Sequence, residues 1–286
     1  MLFVILIFQI AHGTGGWTEP SATQDIYEAH PYFYVVYTPY VNSRFTRPEK
    51  GPLWEWMNKP QIPDWYSGKV GVPIKYYDKH PILVNEYSWT WLFRQNAIPP
   101  FTSKLIYDVM VGKNSSAQQR RYFRAYELAA ETEYWRSNRK LAGVMFFNML
   151  ETSRLGGSVT ATAPDDMIDV QNVVFESMLV KRMTDALSPV GIMIDRWEDH
   201  FKAGEEITCN LYAINDTYEK WTGTIELILE SNKESMVDKK YCSIEPVGKT
   251  GVNFKIKLPV EKGKYKLKAR LKFKDHTIES IRDFEI

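Results

Sequence analysis

His80-Pro81-Ile82-Leu83-Val84-Asn85-Glu86-Tyr87 is the stretch on which the reading of this chain turns. A short apolar run, bounded by Pro81 before and by the polar pair Asn85-Glu86 after, predicts a strand buried on both faces. Such strands belong to parallel sheets with helices packed outside. The run delivers a carboxylate, Glu86, to the C-terminal end of its strand. In a (β/α)8 barrel that is the end where loops shape the pocket while the strand fixes the side chain. A Glu in this position also serves elsewhere as a turn cap or as the partner of an Arg, so both readings stand at this point.

The chain has 286 residues, 44% of them hydrophobic, enough for two ordinary domains with their own cores. Thirty-six basic residues against 35 acidic ones leave a net charge of +1. That balance gives no footprint for nucleic acid or an anionic membrane, and the expected partner is neutral. Aromatic residues make up 14% of the chain, with nine Trp and 17 Tyr. Trp54, Trp56, Trp65, Trp89 and Trp91 sit in segments that read as loops, where flat rings suit the C–H faces of sugars as well as ordinary core packing. Cys209 and Cys242 have no His at metal-ligand spacing, and either pair or remain buried thiols. His12, His30, His80, His200 and His276 are scattered. No metal and no cofactor is expected.

Met1 to Ile10 is almost wholly apolar and precedes Ala11-His12-Gly13. It reads either as a secretory signal without a basic n-region, placing the protein outside the cell or in the periplasm, or as a buried strand over Phe3 to Ile10. It is too short to span a bilayer as a helix.

Asp25 to Tyr32 predicts a short strand ending in His30-Pro31-Tyr32, and residues 38–72, rich in Pro, Gly and Trp, predict a long loop. A second aromatic loop covers Ser88 to Pro100. Ser116 with Gln119 forms a capping-box pattern that opens a helix to about Asn138. Phe123, Tyr126, Ala130 and Tyr134 give that helix one buried face, and its Arg-rich opposite face reads as solvated. Leu141 to Met149 predicts the next parallel strand, completing a βαβ unit. Val173 to Leu187 is weakly helical and stops at Ser188-Pro189. From Val190 onward the alternation predicts seven short strands, over 191–197, 206–214, 223–230, 237–244, 251–258, 264–273 and 277–284. This density of strands fits an immunoglobulin-like sandwich. Lys264, Lys266, Lys268 and Arg270 share one face that reads as solvated, with a polyanion-binding stripe as the alternative.

Pro81-Ile-Leu-Val-Asn-Glu-Tyr-Ser-Trp-Thr-Trp-Leu resembles the seventh barrel strand of glycoside hydrolase family 2-like proteins, in which the Glu at the strand end is the nucleophile. His30-Pro31-Tyr32 resembles the sixth strand of that family, whose His and aromatic groups line the sugar site. Gln118-Gln-Arg-Arg through Thr132-Glu-Tyr-Trp-Arg, then Leu141-Ala-Gly-Val-Met-Phe-Phe, resembles the last helix and eighth strand. Ser188-Pro-Val-Gly-Ile-Met-Ile-Asp is similar to the start of the accessory sandwich. The resemblance spans about residues 13 to 286 and implies an α/β plus all-β fold. Its parts are a partial (β/α)8 barrel, from about strand five or six to eight, over residues 1–189, and an immunoglobulin-like β-sandwich over 190–286.

The resemblance implies Glu86 as catalytic nucleophile, with His30, Tyr32, Tyr87, Trp89, Trp91 and Asn148 around a carbohydrate. Tyr32 or Tyr87 would orient Glu86 and hold it ionised. Asn148 stands where many relatives carry Trp. The second carboxylate, an acid/base Glu upstream of the sixth strand, has no counterpart. Glu19, Glu28 and Glu55 are the in-chain substitutes, none at a convincing strand end, and the truncated-strand reading of Met1–Ile10 follows from the same comparison. Retaining hydrolysis needs two carboxylates about 5–5.5 Å apart. The expectation is therefore the C-terminal part of a retaining β-glycosidase, weak or inactive alone. The alternative is a non-catalytic carbohydrate-binding or structural module.

Overall fold

The apolar run after Pro81 is a strand, and it is flanked on both sides by parallel neighbours. A computed structural model of the chain describes residues 27–29, 82–84, 87–88, 90–94, 96–146, 166–169, 171–231 and 234–286. Within these, Tyr27–Ala29 (β1), Ile82–Val84 (β2) and Leu141–Val144 (β3) form a parallel sheet in the order β1-β2-β3. Gly143 lets β3 come close to its neighbour, since a Cβ there would stand 3.0 Å from Leu83 Cδ1. Parallel neighbours cannot be joined by a tight turn. The connection from β2 to β3 carries helix α1 (Phe101–Tyr107), a π-helical turn (Asp108–Gly112) and helix α2 (Ala117–Ser137).

Helix α2 opens where the capping box predicts. The Gln119 N–H donates to Ser116 Oγ at 3.2 Å, and the Ser116 N–H donates to Gln119 Oε1 at 2.8 Å. Its burial is not the one-sided pattern expected. Arg124, Glu127, Leu128, Glu131, Thr132, Glu133 and Trp135 are all buried, while Phe123, Tyr126 and Tyr134 are only partly so. The Arg-rich face is not solvated either. Arg120 donates to the carbonyls of Ala97 at 2.6 Å and Asn96 at 3.0 Å, and Arg121 to that of Arg94 at 3.1 Å. The described residues of 90–100 run without regular structure, so their carbonyls need side-chain donors, and these arginines supply some of them.

After Asp166 come a two-stranded antiparallel ribbon, Met167–Asp169 (β4) with Val174–Phe175 (β5), and helix α3 (Ser177–Ala186). The helix predicted from Val173 thus begins at Ser177, where the Glu176 carboxylate caps it by accepting from the Leu179 N–H at 2.8 Å. The buried apolar side of α3, including Leu179 and Met183, joins Leu128 and Trp135 of α2 and Val84 and Tyr87 in one core.

The remaining strands are Val190–Ile194 (β6), Glu206–Asn215 (β7), Trp221–Glu230 (β8), Glu234–Ile244 (β9), Lys249–Lys257 (β10), Lys264–Phe273 (β11) and His276–Glu285 (β12). They form two antiparallel sheets, β10-β7-β6 and β12-β11-β8-β9, which share one core through residues such as Leu211, Phe254, Leu227 and Leu267. Each strand lies where alternation predicts it, although β6 stops at Ile194 instead of Trp197. On β11 the inward residues are as predicted, Tyr265, Leu267, Ala269 and Leu271. The basic face of β11, expected to be solvated, is so at Lys264 and is cross-linked further along the strand. Lys268 pairs with Glu230, and Arg270 with Glu279 at 2.5 Å. Matched cations of this kind do not form a polyanion stripe. Cys209 and Cys242 are free and buried, and burial pushes the Cys209 thiol up to about 12. No helix among the described residues is long and apolar enough to cross a membrane.

Helix α2 meets β12 through a buried ion pair. The Arg282 guanidinium donates to Glu133 Oε2 at 3.1 Å, and Ser280 Oγ donates to the same oxygen at 2.6 Å. Ser280 Oγ also accepts from the Ile194 N–H at 3.1 Å. The flat face of Arg282 lies 4.3 Å from the Trp197 ring centroid. At the end of α2, Arg136 and Arg139 both donate to Asp216, each at 2.6 Å. Replacing Arg282 by Ala strands the Glu133 carboxylate out of water, and the expected loss is about 3–5 kcal/mol, measured by urea unfolding. Burial raises the Glu133 pKa by more than Arg282 and Ser280 lower it. Between the ordinary glutamate value and this raised one the folded state holds the extra proton, so the Glu133 contribution makes stability fall as pH rises across that window. Glu133→Gln should remove that segment of the pH profile, and an unchanged profile would assign it to another group.

Candidate functional site

Three strands end together at one edge. Ala29 of β1 pairs directly with Val84 of β2, and the Met145 N–H just past β3 donates to the Val84 carbonyl at 2.7 Å. The chain therefore leaves β1 toward His30, β2 toward Asn85-Glu86, and β3 toward Phe147-Asn148, from neighbouring positions on the C-terminal side of the sheet. Glu86, His30, Tyr32, Trp89 and Asn148 themselves lie outside the described residues. Glu28 occupies the middle of β1, opposite Leu83, and not a strand end.

Of the residues expected to touch a sugar, Tyr87 does something else. It has no exposed surface, and its hydroxyl meets Thr132 Oγ1 at 2.6 Å. Thr132 Oγ1 donates in turn to the Leu128 carbonyl at 2.7 Å, which makes Tyr87 the donor. The ring is thus packed into the helix layer. Burial first, then the negative charge of Glu131, keeps its hydroxyl protonated well above the ordinary tyrosine range. Its hydroxyl is committed to Thr132 in the helix layer. Trp91 remains half-buried, and its carbonyl accepts from Ser103 Oγ at 3.1 Å.

The segment that follows Glu86 is held by a buried polar network. Ser88 has φ +66°, a left-handed conformation that costs a residue with a Cβ roughly 1–2 kcal/mol. Its hydroxyl donates to Glu127 Oε2 at 2.9 Å, and Thr90 Oγ1 donates to the same oxygen at 2.8 Å. Arg124 Nη1 donates to Ser88 Oγ at 2.6 Å and to Thr90 Oγ1 at 3.0 Å. The other edge of the guanidinium grips Asp166 bidentately, Nε to Oδ1 at 3.0 Å and Nη2 to Oδ2 at 2.9 Å. Burial opposes the Arg124 charge, and Asp166 more than restores it. Tyr107 adds a donor to the Thr90 carbonyl at 2.6 Å.

Arg124 thus joins a segment that leaves β2 to one that leads away from β3. Such an arrangement can position a strand exit firmly, since every bond around Ser88 is charge-assisted or buried. No group of three or more His, Cys, Asp or Glu among the described residues is placed to hold a metal. Sequence reasoning missed Arg124, Glu127, Asp166, Ser88 and Thr90. The signal was available in Glu127 and Glu131, carboxylates spaced one helical turn apart among Leu and Ala residues, where solvated acids are not expected.

No protein-family model matches the chain. No curated protein matches it. Among solved structures, a β-glucosidase from Listeria innocua in complex with gluconolactone aligns at TM-score 0.29 and 10% identity, over 34% of this chain and 16% of that one. A β-glucosidase from Erythrobacter marinus aligns at TM-score 0.27 and 12% identity, over 33% and 14%. The sporulation control protein Spo0M from Bacillus subtilis aligns at TM-score 0.26 and 11% identity, over 34% and 47%. The chain spans about one sixth of the length of the first of these. Similarities at this level assign neither fold nor function.

Strain at Ser88 can be read by a pair of variants. Ser88→Ala and Ser88→Gly both delete the hydroxyl, but only Gly relieves the positive φ. The Gly variant should therefore be the more stable of the two, by about 1 kcal/mol in urea unfolding. Equal stabilities would mean that the left-handed backbone carries no strain.

Proposed function

We propose that this chain is the C-terminal part of a retaining β-glycosidase resembling glycoside hydrolase family 2, with Glu86 as its nucleophile. In this reading residues 1–189 form the last strands of a (β/α)8 barrel and residues 190–286 an immunoglobulin-like sandwich. The observation that carries it is the parallel β1-β2-β3 edge, where β2 stops two residues before Glu86 and β1 stops one residue before His30. C-terminal edges of parallel strands are where such folds build their sites. A left-handed residue held by buried charges, two positions after the carboxylate, is the kind of strain that gathers at functional sites. The proposal expects the Glu86 carboxylate to face a sugar, with His30, Tyr32, Trp89, Trp91 and Asn148 around it.

Chemically, the Glu86 carboxylate attacks the anomeric carbon as the bond to the leaving oxygen breaks, giving a glycosyl ester. Water then hydrolyses the ester, returning the carboxylate. Protonating the leaving oxygen and activating the water need a second carboxylate. This reading assigns no second Glu to that role; without one, natural glycosides with poor leaving groups do not turn over, and an ester once formed persists.

Incubation with a panel of activated fluoroglycosides tests this, because fluoride leaves without a proton. One glycosyl mass should accumulate slowly on the peptide containing Glu86, and Glu86→Gln should abolish it. Label on another residue, or none on any, refutes Glu86 as nucleophile. Steady hydrolysis of natural oligosaccharides refutes the absence of an acid/base.

A further inference from the structure

A cleft of about 680 Å³ opens between the first turns of α2 and the edge formed by β11 and β12. That is within the ordinary range of small-ligand sites, and none of the Ser88 network lines it. Its walls are aromatic. Tyr122 and Tyr126, one turn apart on α2, have rings parallel to within 14° with centroids 6.2 Å apart. Tyr265 and Phe284, from the sheet side, stack on each other at 5.6 Å and 21° and are almost wholly buried, so the accessible ring surface is that of the two tyrosines of α2. The Tyr122 hydroxyl donates to Asp283 Oδ2 at 2.7 Å and the Asp283 N–H donates to the Tyr126 hydroxyl at 3.4 Å. The rings of Tyr122 and Tyr126 are therefore held in place in the free protein, which lowers the ordering cost of a ligand.

The charges decide what the cleft can hold. Lys266 lies 5.2 Å over the Tyr122 ring and faces Glu230 at 3.8 Å and Asp283 at 3.7 Å. Lys264 faces Glu285 at 3.5 Å. Four carboxylates, of Asp199, Glu230, Asp283 and Glu285, line the cleft against two lysines, so an anion would be repelled and hydroxyl donors find acceptors. Around the rings stand the exposed amide of Gln118 and the carboxylates of Glu230 and Glu285. Rings for C–H faces, with amides and carboxylates for hydroxyls, describe a neutral polyhydroxylated ligand. We infer that this cleft is a second, non-catalytic site that binds a neutral oligosaccharide. The choice of saccharide over other neutral polyols rests on the glycosidase reading. None of the described lining residues comes from β2 or the segment after it.

Titration calorimetry with cellohexaose, xylohexaose and mannohexaose is the test, on the full chain and on three variants. Tyr122→Ala removes a wall. Gln118→Trp fills the mouth from an exposed position and leaves the packed side chains alone, so it serves where Tyr122→Ala fails to fold. Glu86→Gln reports on the sheet edge. At least one hexasaccharide should bind, Gln118→Trp should weaken it at least tenfold, and Glu86→Gln should leave it unchanged. No binding by any of the three, or binding that Gln118→Trp leaves intact, overturns the inference. Binding lost in Glu86→Gln but kept in Gln118→Trp places the sugar at the sheet edge, which sustains the proposed function and sinks the second site. Binding lost in Gln118→Trp, together with no fluoroglycoside label on Glu86, has the reverse meaning.

Discussion

Helix α2 is 21 residues long and buries charged side chains on two sides, and how those charges are matched holds the structure together. Arg124 and Glu133 are nine positions apart, about two and a half helical turns, so they point in opposite directions. Arg124 meets Asp166 and the segment after β2, while Glu133 meets Ser280 and Arg282 of β12. Neither charge can reach water. Each is matched only when its own side of the helix is docked in register.

Such pairs are poor sources of net stability, because the cost of desolvating both partners roughly cancels their attraction. Their effect is on alternatives. A one-residue rotation of α2 would turn both charges by about 100° and leave four buried groups unmatched, each an expense of several kcal/mol. Apolar residues such as Leu128, Ala129 and Trp135 supply the attraction between layers, but they would tolerate small shifts. The ion pairs do not. Asp216, between Arg136 and Arg139, fixes the helix end in the same manner. Burial raises its pKa, and the two arginines outweigh that and keep it ionised.

What was legible in the sequence was what depends on neighbours along the chain. The apolar run at 82–84, the Ser116–Gln119 box and the alternation of all seven later strands are local patterns, and the structure follows them. What was not legible depends on residues far apart. The arginines of α2 read as solvated because periodicity assumes a helix with one packed side, and nothing local announces that the carbonyls of Arg94, Asn96 and Ala97 and the carboxylate of Asp166 meet them on the other. The lysines of β11 read as solvated because their partners, Glu230, Glu279 and Asp283, come from different strands. Tyr87 read as part of the site because it follows Glu86. Its true partner, Thr132, is 45 positions on. For the site, the parallel edge was legible, and the residues that brace it were not.

The bracing explains why antiparallel sheets matter to a strand end they do not contact through ligand groups. A left-handed non-Gly residue costs on the order of 1–3 kcal/mol, and a hydrogen bond to a charged group returns about 1.5–3. Ser88 is therefore tolerable only while Arg124 and Glu127 stay in hydrogen-bond range, and a displacement of half an ångström would forfeit much of that return. Both residues sit on α2, whose position is set from the other side by Glu133, Arg136 and the Tyr122–Asp283 bond. Stiffness is transmitted through the helix. The segment just beyond β2 and the sheet pair beginning at Val190 are thus bonded to opposite sides of one helix.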